Sequence, residues 1–235
     1  MYSVLFDIDG TLIQTGGAGK QAFAHAFSTL FGVDEISSNV QFAGRSDRAI
    51  ALDLMTVHDI EPSDDNWQKF VSCYLQQLEI TLPECDGVVL PGVVPFLDAL
   101  QKIEHAQVGL LTGNIQAGAA RKLGHYNLAH RFSFGGFGDE ATDRNTIAQH
   151  AQEQALSQTN GETSGIMVIG DTVHDVVCAK SIGAFAVAVT TGGVPAEELA
   201  ASGPDLLLED LTKTKSLLSE INANASPVES VTTRG

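Results

Sequence analysis

Long apolar runs are missing from this sequence. Nowhere do eighteen apolar residues follow one another, so no membrane-spanning helix is expected. Basic residues are scarce too: Lys and Arg number 13 against 29 Asp and Glu, a formal net charge of −16. A chain this acidic repels nucleic acid and anionic lipid, which argues against both as partners. Cysteine is sparse. Cys73, Cys85 and Cys178 are odd in number and far apart, which speaks against a disulfide framework and fits buried thiols in a reducing cytoplasm. The opening segment, Met1 to Leu12, has no basic flank and meets Asp7 at once, unlike a secretory leader. What remains suffices for a core. Hydrophobic residues make up 43% of the 235 and charged residues 18%, which excludes a wholly disordered chain.

Short apolar runs alternate with helical patterns. The runs are Val4–Ile8, Val108–Leu111, Ile166–Ile169, Phe185–Val189 and Leu206–Leu208. Runs of this length, separated by amphipathic segments, predict βα units and a doubly wound α/β core whose parallel sheet is covered on both faces. The first gap is far longer than one crossover helix needs. Within it, Ala22, Phe23, Ala26, Phe27, Leu30 and Phe31 recur at helical spacing, as do Trp67, Phe70, Val71, Tyr74, Leu75 and Leu78. Residues 16–85 are therefore expected to form a small helical cap, with residues 1–15 and 86–221 as the core. Pro83 and the Leu90-Pro91-Gly92 turn should carry the chain back, with a helix from Val93 to Lys102. The Ser-, Thr- and Asn-rich stretch 222–235 is expected to be a loose tail.

Three segments carry chemistry. The first is Asp7-Ile8-Asp9-Gly10-Thr11-Leu12, directly after the first strand. Two acids at i and i+2, where a strand leaves an open α/β sheet, face the crevice in which such sheets bind ligands. Gly10 permits the tight turn that follows. A calcium loop also begins Asp-x-Asp, but Gly10 comes too early for one and Ala18 stands at the twelfth position, where an acid is needed. The second segment is Thr112-Gly113-Asn114, at the end of another strand. It offers a hydroxyl and backbone N–H groups to a phosphoryl oxygen. In the third, Gly170-Asp171-Thr172-Val173-His174-Asp175, two acids four apart could hold a hard cation where strand turns into helix. Asp175 could equally be a solvated first-turn acid.

The order and spacing of the three segments resemble the haloacid dehalogenase superfamily, in particular its phosphatases of the phosphoglycolate phosphatase type. The likeness continues from Ala179 to Gly192, and the 16–85 insert sits where that family places its cap. The resemblance implies hydrolysis of a small phosphomonoester, a small phosphorylated metabolite. Asp7 would be the nucleophile that forms an aspartyl-phosphate. Asp9 would be the general acid and then the base. Thr112, Gly113 and Asn114 would steady the phosphoryl group. It further implies Mg²⁺ held by Asp7, the backbone carbonyl of Asp9, Asp171 and, directly or through water, Asp175. A phosphosugar mutase, a pyrophosphatase or a non-catalytic phosphate-ester binding protein would share the fold. The family also uses a Lys or Arg between the last two motifs, often Lys-Pro, and no Lys-Pro occurs here. Arg144 stands about where that cation belongs, with Lys122 as the alternative.

Weaker features remain. Gly16-Gly17-Ala18-Gly19-Lys20 looks like a P-loop, but Gln14 replaces its first Gly and Gln21 its Ser or Thr. A hinge into the cap is the better reading, with Lys20 able to face the site. Gly44-Arg45-Ser46-Asp47 reads as a polar turn in which Ser46 or Asp47 caps a helix and Arg45 binds a second anion on the substrate. His105, His125, His130 and His150 lack metal-ligand spacing and are expected at the surface or in packing. A monomer or a homodimer is expected.

Overall fold

A computed structural model describes residues 1–139 and 141–225. Its main sheet has six parallel strands. The first two in the chain are β1 (Tyr2–Phe6) and, outside this sheet, β2 (Ile13–Gln14), followed by three helices, α1 (Ala18–Phe31), α2 (Asp47–Val57) and α3 (Asp64–Glu84). Next come β3 (Val88–Val89), α4 (Val93–Leu100), β4 (Ala106–Leu111), α5 (Gln116–His125) and β5 (Gly135–Gly136). The chain continues through α6 (Arg144–Ser157), β6 (Gly165–Gly170), α7 (Val173–Ser181), β7 (Phe185–Val189), α8 (Ala196–Ala201), β8 (Leu206–Leu208) and α9 (Lys215–Asn224). Strand order in the sheet is β5-β4-β1-β6-β7-β8. From β1 the chain runs outward to β4 and β5, then returns to lay β6, β7 and β8 on the other side. The carboxyl end of β1 is therefore the point where the winding reverses, the ligand-binding position of open α/β sheets.

The doubly wound expectation holds, and the two-residue period of a strand explains why. In β1, Val4 and Phe6 pack with Phe96, Leu97 and Leu100 of α4, whereas Leu5 packs with Ile147, Ala148 and Ala151 of α6. In β6, Met167 and Ile169 join the first cluster, Ile166 and Val168 the second. Both phases are apolar because both faces are covered.

Residues 18–84 build a third hydrophobic cluster. Ser46 accepts a hydrogen bond from the Ala49 N–H to open α2, and Ser63 accepts one from Asn66 to open α3. Gly32, at φ +67°, ends α1 in the left-handed conformation that glycine adopts without strain. The helices bury a group of rings: Phe23, Phe70 and Tyr74 have centroids 4.8–5.6 Å apart, with Phe27 and Trp67 against Phe70. Such ring pairs add about 0.5–1.5 kcal/mol each beyond the area they bury. The chain enters and leaves this helical unit through an antiparallel pair, Ile13 against Val89 and Gln14 against Val88.

Several boundaries differ from expectation. β2, β3 and β5 are two residues long, too short for any alternation to show in sequence. Pro83 lies inside the last turn of α3 instead of after it. There its missing N–H sacrifices one bond near a helix end. Of the glycine-rich stretch, only Gly16 (φ +62°) and Gly17 (φ +91°) form the turn; Ala18, Gly19 and Lys20 already belong to α1. Of the stretch 222–235 expected as a loose tail, residues 222–224 belong to α9 and Ala225 is buried, while 226–235 lie outside the described residues. All three cysteines are free, but only Cys178 is fully buried. No described helix is long and apolar enough to cross a membrane.

Candidate active site

The acids after β1 face the crevice. Asp7 sits at the mouth of the strand, its N–H bonded to the Ile169 carbonyl at 3.0 Å. Gly10 turns the chain at φ +86°, and a Cβ there would run into the Asp171 carboxylate. Glycine is needed both for the turn and for that close approach. Thr11 donates to Asp171 at 3.1 Å and so fixes the acid at the end of β6 beside the acid at the end of β1.

Asp7, Asp171 and Asp175 bring carboxylate oxygens within 4.8 Å of one another, all buried. Asp175 completes a capping box on α7: it accepts from the Thr172 N–H at 3.0 Å and hydroxyl at 2.6 Å. Its other oxygen accepts from Arg144, whose guanidinium also lies 3.5 Å from Asp7. One cation thus pairs with two of the three buried carboxylates. Burial and repulsion by Asp175 push the Asp7 carboxyl up to about 7 and the Asp171 carboxyl up to about 8. A dense set of hard oxygen donors with unbalanced negative charge suits Mg²⁺, so the residues fit the cation that the resemblance implies. The Asp9 carboxylate is not part of this group.

Asp9 turns the other way. It accepts from Lys122 at 2.7 Å and from the Asn114 amide at 2.9 Å. Lys122 also donates to Asn114 Oδ1 at 2.6 Å, and Asn114 to Thr112 Oγ1 at 2.8 Å. A hydrogen bond from Thr112 favours the charged form of Asp7. Lys122 is buried on α5, two turns beyond Asn114, so one helix face delivers it to the site. Burial works against its charge, but Asp9 and Asp47 outweigh that and raise it above the usual lysine range. Both candidate cations are therefore present, Arg144 behind Asp7 and Lys122 beside Asp9.

A cavity of about 350 Å³ covers these groups. Asp7, Asp9, Asn114, Lys122, Arg144 and Asp171 line its floor, while Lys20, Phe23, Phe42, Arg45, Asp47 and Tyr74 come from the helical unit. Thr112 and Gly113 lie behind this wall. Gly113 packs closely against the helical unit: a Cβ would strike the Arg45 carbonyl, and the Gly113 carbonyl accepts from the Asp47 N–H at 2.7 Å. Arg45 lines the cavity, but its guanidinium pairs with Asp53 at 2.7 Å. Lys20 is exposed and lies 5.8 Å above the Phe42 ring. His125, His130 and His150 are exposed and His105 half-buried, as expected.

Sequence reasoning missed Asp47. Ser46 caps α2, whereas the buried Asp47 carboxylate accepts from the Ile115 N–H at 2.9 Å, at the start of α5 in the other unit. Burial pushes Asp47 up to about 6 against the opposing pull of Lys122. No local pattern marks an acid whose partner is 68 residues away. Tyr74 likewise reads in sequence only as one of a row of apolar ring positions.

The description "haloacid dehalogenase-like hydrolase" fits residues 4–189 of this sequence at the level of a family model. The chain belongs to that family. Among relatives of this haloacid dehalogenase-like hydrolase, the phosphoglycolate phosphatase of Synechococcus elongatus is 28% identical over 213 residues, 89% of this chain and 93% of the relative. The phosphoglycolate phosphatase of Pseudomonas savastanoi pv. phaseolicola is 26% identical over 223 residues, 89% of this chain and 77% of the relative. The crystal structure of CbbY from Rhodobacter sphaeroides in complex with phosphate superposes with a TM-score of 0.73 at 18% identity, over 91% of this chain and 96% of that one. At that identity the likeness speaks for the fold. The family and its phosphatase relatives identify this hydrolase as a phosphatase.

Proposed function

We propose that this phosphatase hydrolyses a small phosphomonoester, phosphoglycolate-like in size, through a phosphorylated Asp7 in a Mg²⁺-dependent reaction. The observation that carries the reading is the division around β1: Asp7 among acids and Arg144, Asp9 two residues on with Lys122 and Asn114. Asp7 and Asp171 would hold Mg²⁺ together with the Asp9 carbonyl, and Asp175 would support them from behind through Arg144. When bound, the cation offsets the repulsion between a carboxylate and a phosphate dianion.

In the first step the Asp7 carboxylate attacks phosphorus. The bond from phosphorus to the leaving oxygen breaks, and Asp9 gives that oxygen its proton. In the second, Asp9 takes a proton from water, the water oxygen attacks phosphorus, and Asp7 is freed with release of inorganic phosphate. Lys122 and Asn114 fix the direction of the Asp9 carboxylate, and the Lys122 charge faces the incoming dianion. Arg144 favours the ionised form of Asp7, which the attack requires. The acidic surface and the free thiols support a small metabolite as substrate and a cytoplasmic setting, with no nucleic-acid or membrane partner.

The test is phosphate release from an aryl phosphate, with and without Mg²⁺, by wild type and Asp7→Asn. Metal-dependent turnover that vanishes in the variant supports the mechanism. Turnover that survives in purified Asp7→Asn overturns it.

A further inference from the structure

Tyr74 is fully buried, and its ring is clamped: it stacks on Phe70 at 5.6 Å and 6° and meets Phe23 at 4.8 Å and 62°. Phenylalanine would fill this place without any polar atom to satisfy. Yet the residue carries a hydroxyl, and among the described residues Oη has no hydrogen-bond partner. Buried polar groups are almost always bonded, and each exception calls for an explanation. The nearby carboxylates do not supply one. Asp47 accepts from the Ile115 N–H, and Asp9 accepts from Lys122 and Asn114.

The residue borders the cavity. Tyr74 lines it together with Asp7, Asp9, Asn114 and Lys122. The ring reaches from α3 to the first turn of α5, where a Cβ on Gly118 would lie 3.6 Å from Cε1 and 3.8 Å from Oη. Burial and the charges of Asp47 and Asp9 hold the phenol well above its usual range, so it stays protonated and available as a donor. Phe23, Phe42 and Ile50 form an apolar wall around it. The cavity, about 350 Å³, exceeds the volume of a phosphate group, leaving room for an organic part.

We propose that Tyr74 determines specificity: its phenol donates a hydrogen bond to a hydroxyl or carboxylate oxygen on the organic part of the substrate. The inference rests on the phosphomonoester reading above and deepens it. A rigid donor in an apolar wall rewards a substrate that brings an acceptor and rejects an analogue that leaves the donor unpaired.

Three two-carbon esters test it with Mg²⁺ present: ethyl phosphate, 2-hydroxyethyl phosphate and phosphoglycolate. Wild type should prefer the two esters that bear an extra oxygen. Tyr74→Phe should lower their kcat/KM by about tenfold or more while ethyl phosphate stays within about twofold. A purely structural role would lower all three alike. The variant should also melt at or above the wild-type temperature, by up to about 3 °C, since it loses an unpaired buried hydroxyl. Equal loss on all three esters, no change on any, no wild-type preference for the oxygen-bearing esters, or a clear fall in melting temperature would each overturn the proposal. Those outcomes leave turnover of an aryl phosphate intact. If aryl phosphate turnover is absent as well, the parent reading falls and this one with it.

Discussion

On the sheet side of the cavity, the side chains of the floor are charged or polar, and bonds across the fold hold the acids there. Asp171 is fixed by Thr11, Asp9 by Lys122, and Asp175 by Arg144. On the helical side three rings, Phe23, Phe42 and Tyr74, share the wall with Asp47 and two cations, Lys20 above Phe42 and Arg45 paired with Asp53. The sheet side is costly: buried like charges repel, and Asp7 and Asp171 are both pushed up. The helical side carries one buried acid of this kind, Asp47, beside rings that bear no charge. A fold can thus keep its reactive charges on the rigid sheet and delegate recognition to a unit that is joined by the short β2–β3 stem and can vary independently.

This contrast predicts large effects on the sheet side and small ones opposite. Asp7→Asn should lower kcat by at least about a thousandfold, as loss of a nucleophile does. Its melting temperature should hold or rise, because one member of a repelling buried group becomes neutral. A variant that unfolds would show that Asp7 is a structural acid.

Arg144→Ala should destabilise the fold by about 3–5 kcal/mol at pH 8, since it leaves buried carboxylates without their cation. Urea unfolding measures this. The loss should shrink at pH 5, where Asp7 takes up a proton instead.

The raised acids also set a pH trend. Asp47, Asp7 and Asp171 shift from 3.8 to about 6, 7 and 8. An acid raised on folding binds more protons in the native state. Its contribution is full below the ordinary carboxylate range and is lost as pH climbs through the raised value. Metal-free protein should therefore lose stability between pH 4 and about 8, and Mg²⁺ should restore most of the upper part of that loss. Asp47→Asn should flatten the curve between pH 4 and about 6 only, by on the order of 2 kcal/mol. Thermal melts across pH, with chelator and with Mg²⁺, separate the two regions.

The smallest effect belongs to Arg45. Its pair with Asp53 is partly exposed, so Arg45→Ala should cost under about 1 kcal/mol of stability. A larger loss would mean that the pair fixes the loop before α2 against that helix.

The acids at strand ends were legible in the sequence because each is defined by its neighbours. A strand must end before Asp7 and before Asp171, and glycine at 10 and 170 marks the turns. The sheet strands β1, β4, β6, β7 and β8 were legible for the same reason, as apolar runs between helices. The family resemblance joined the three motifs into one site. The partners of those acids were less accessible. The sequence favours Arg144 as the cation with Lys122 as the alternative, whereas in the fold two helices from different parts of the chain bring both to the same cavity. The packing of Gly113 against Arg45 and Asp47 depends on a loop that is remote in sequence.

What the sequence determined by itself was the alternation of strands and helices, the position of the acids at the strand ends and the helical character of residues 18–84, because periodicity and turn chemistry act over a few residues. What only the tertiary structure decided was the pairing: Arg144 with Asp175 and Asp7, Lys122 with Asp9, Asp47 with the start of α5, and the unpaired hydroxyl of Tyr74 at the cavity. Those relations depend on which faces meet when the helical unit docks on the sheet, and a buried charge or hydroxyl takes its meaning from the neighbours that replace water.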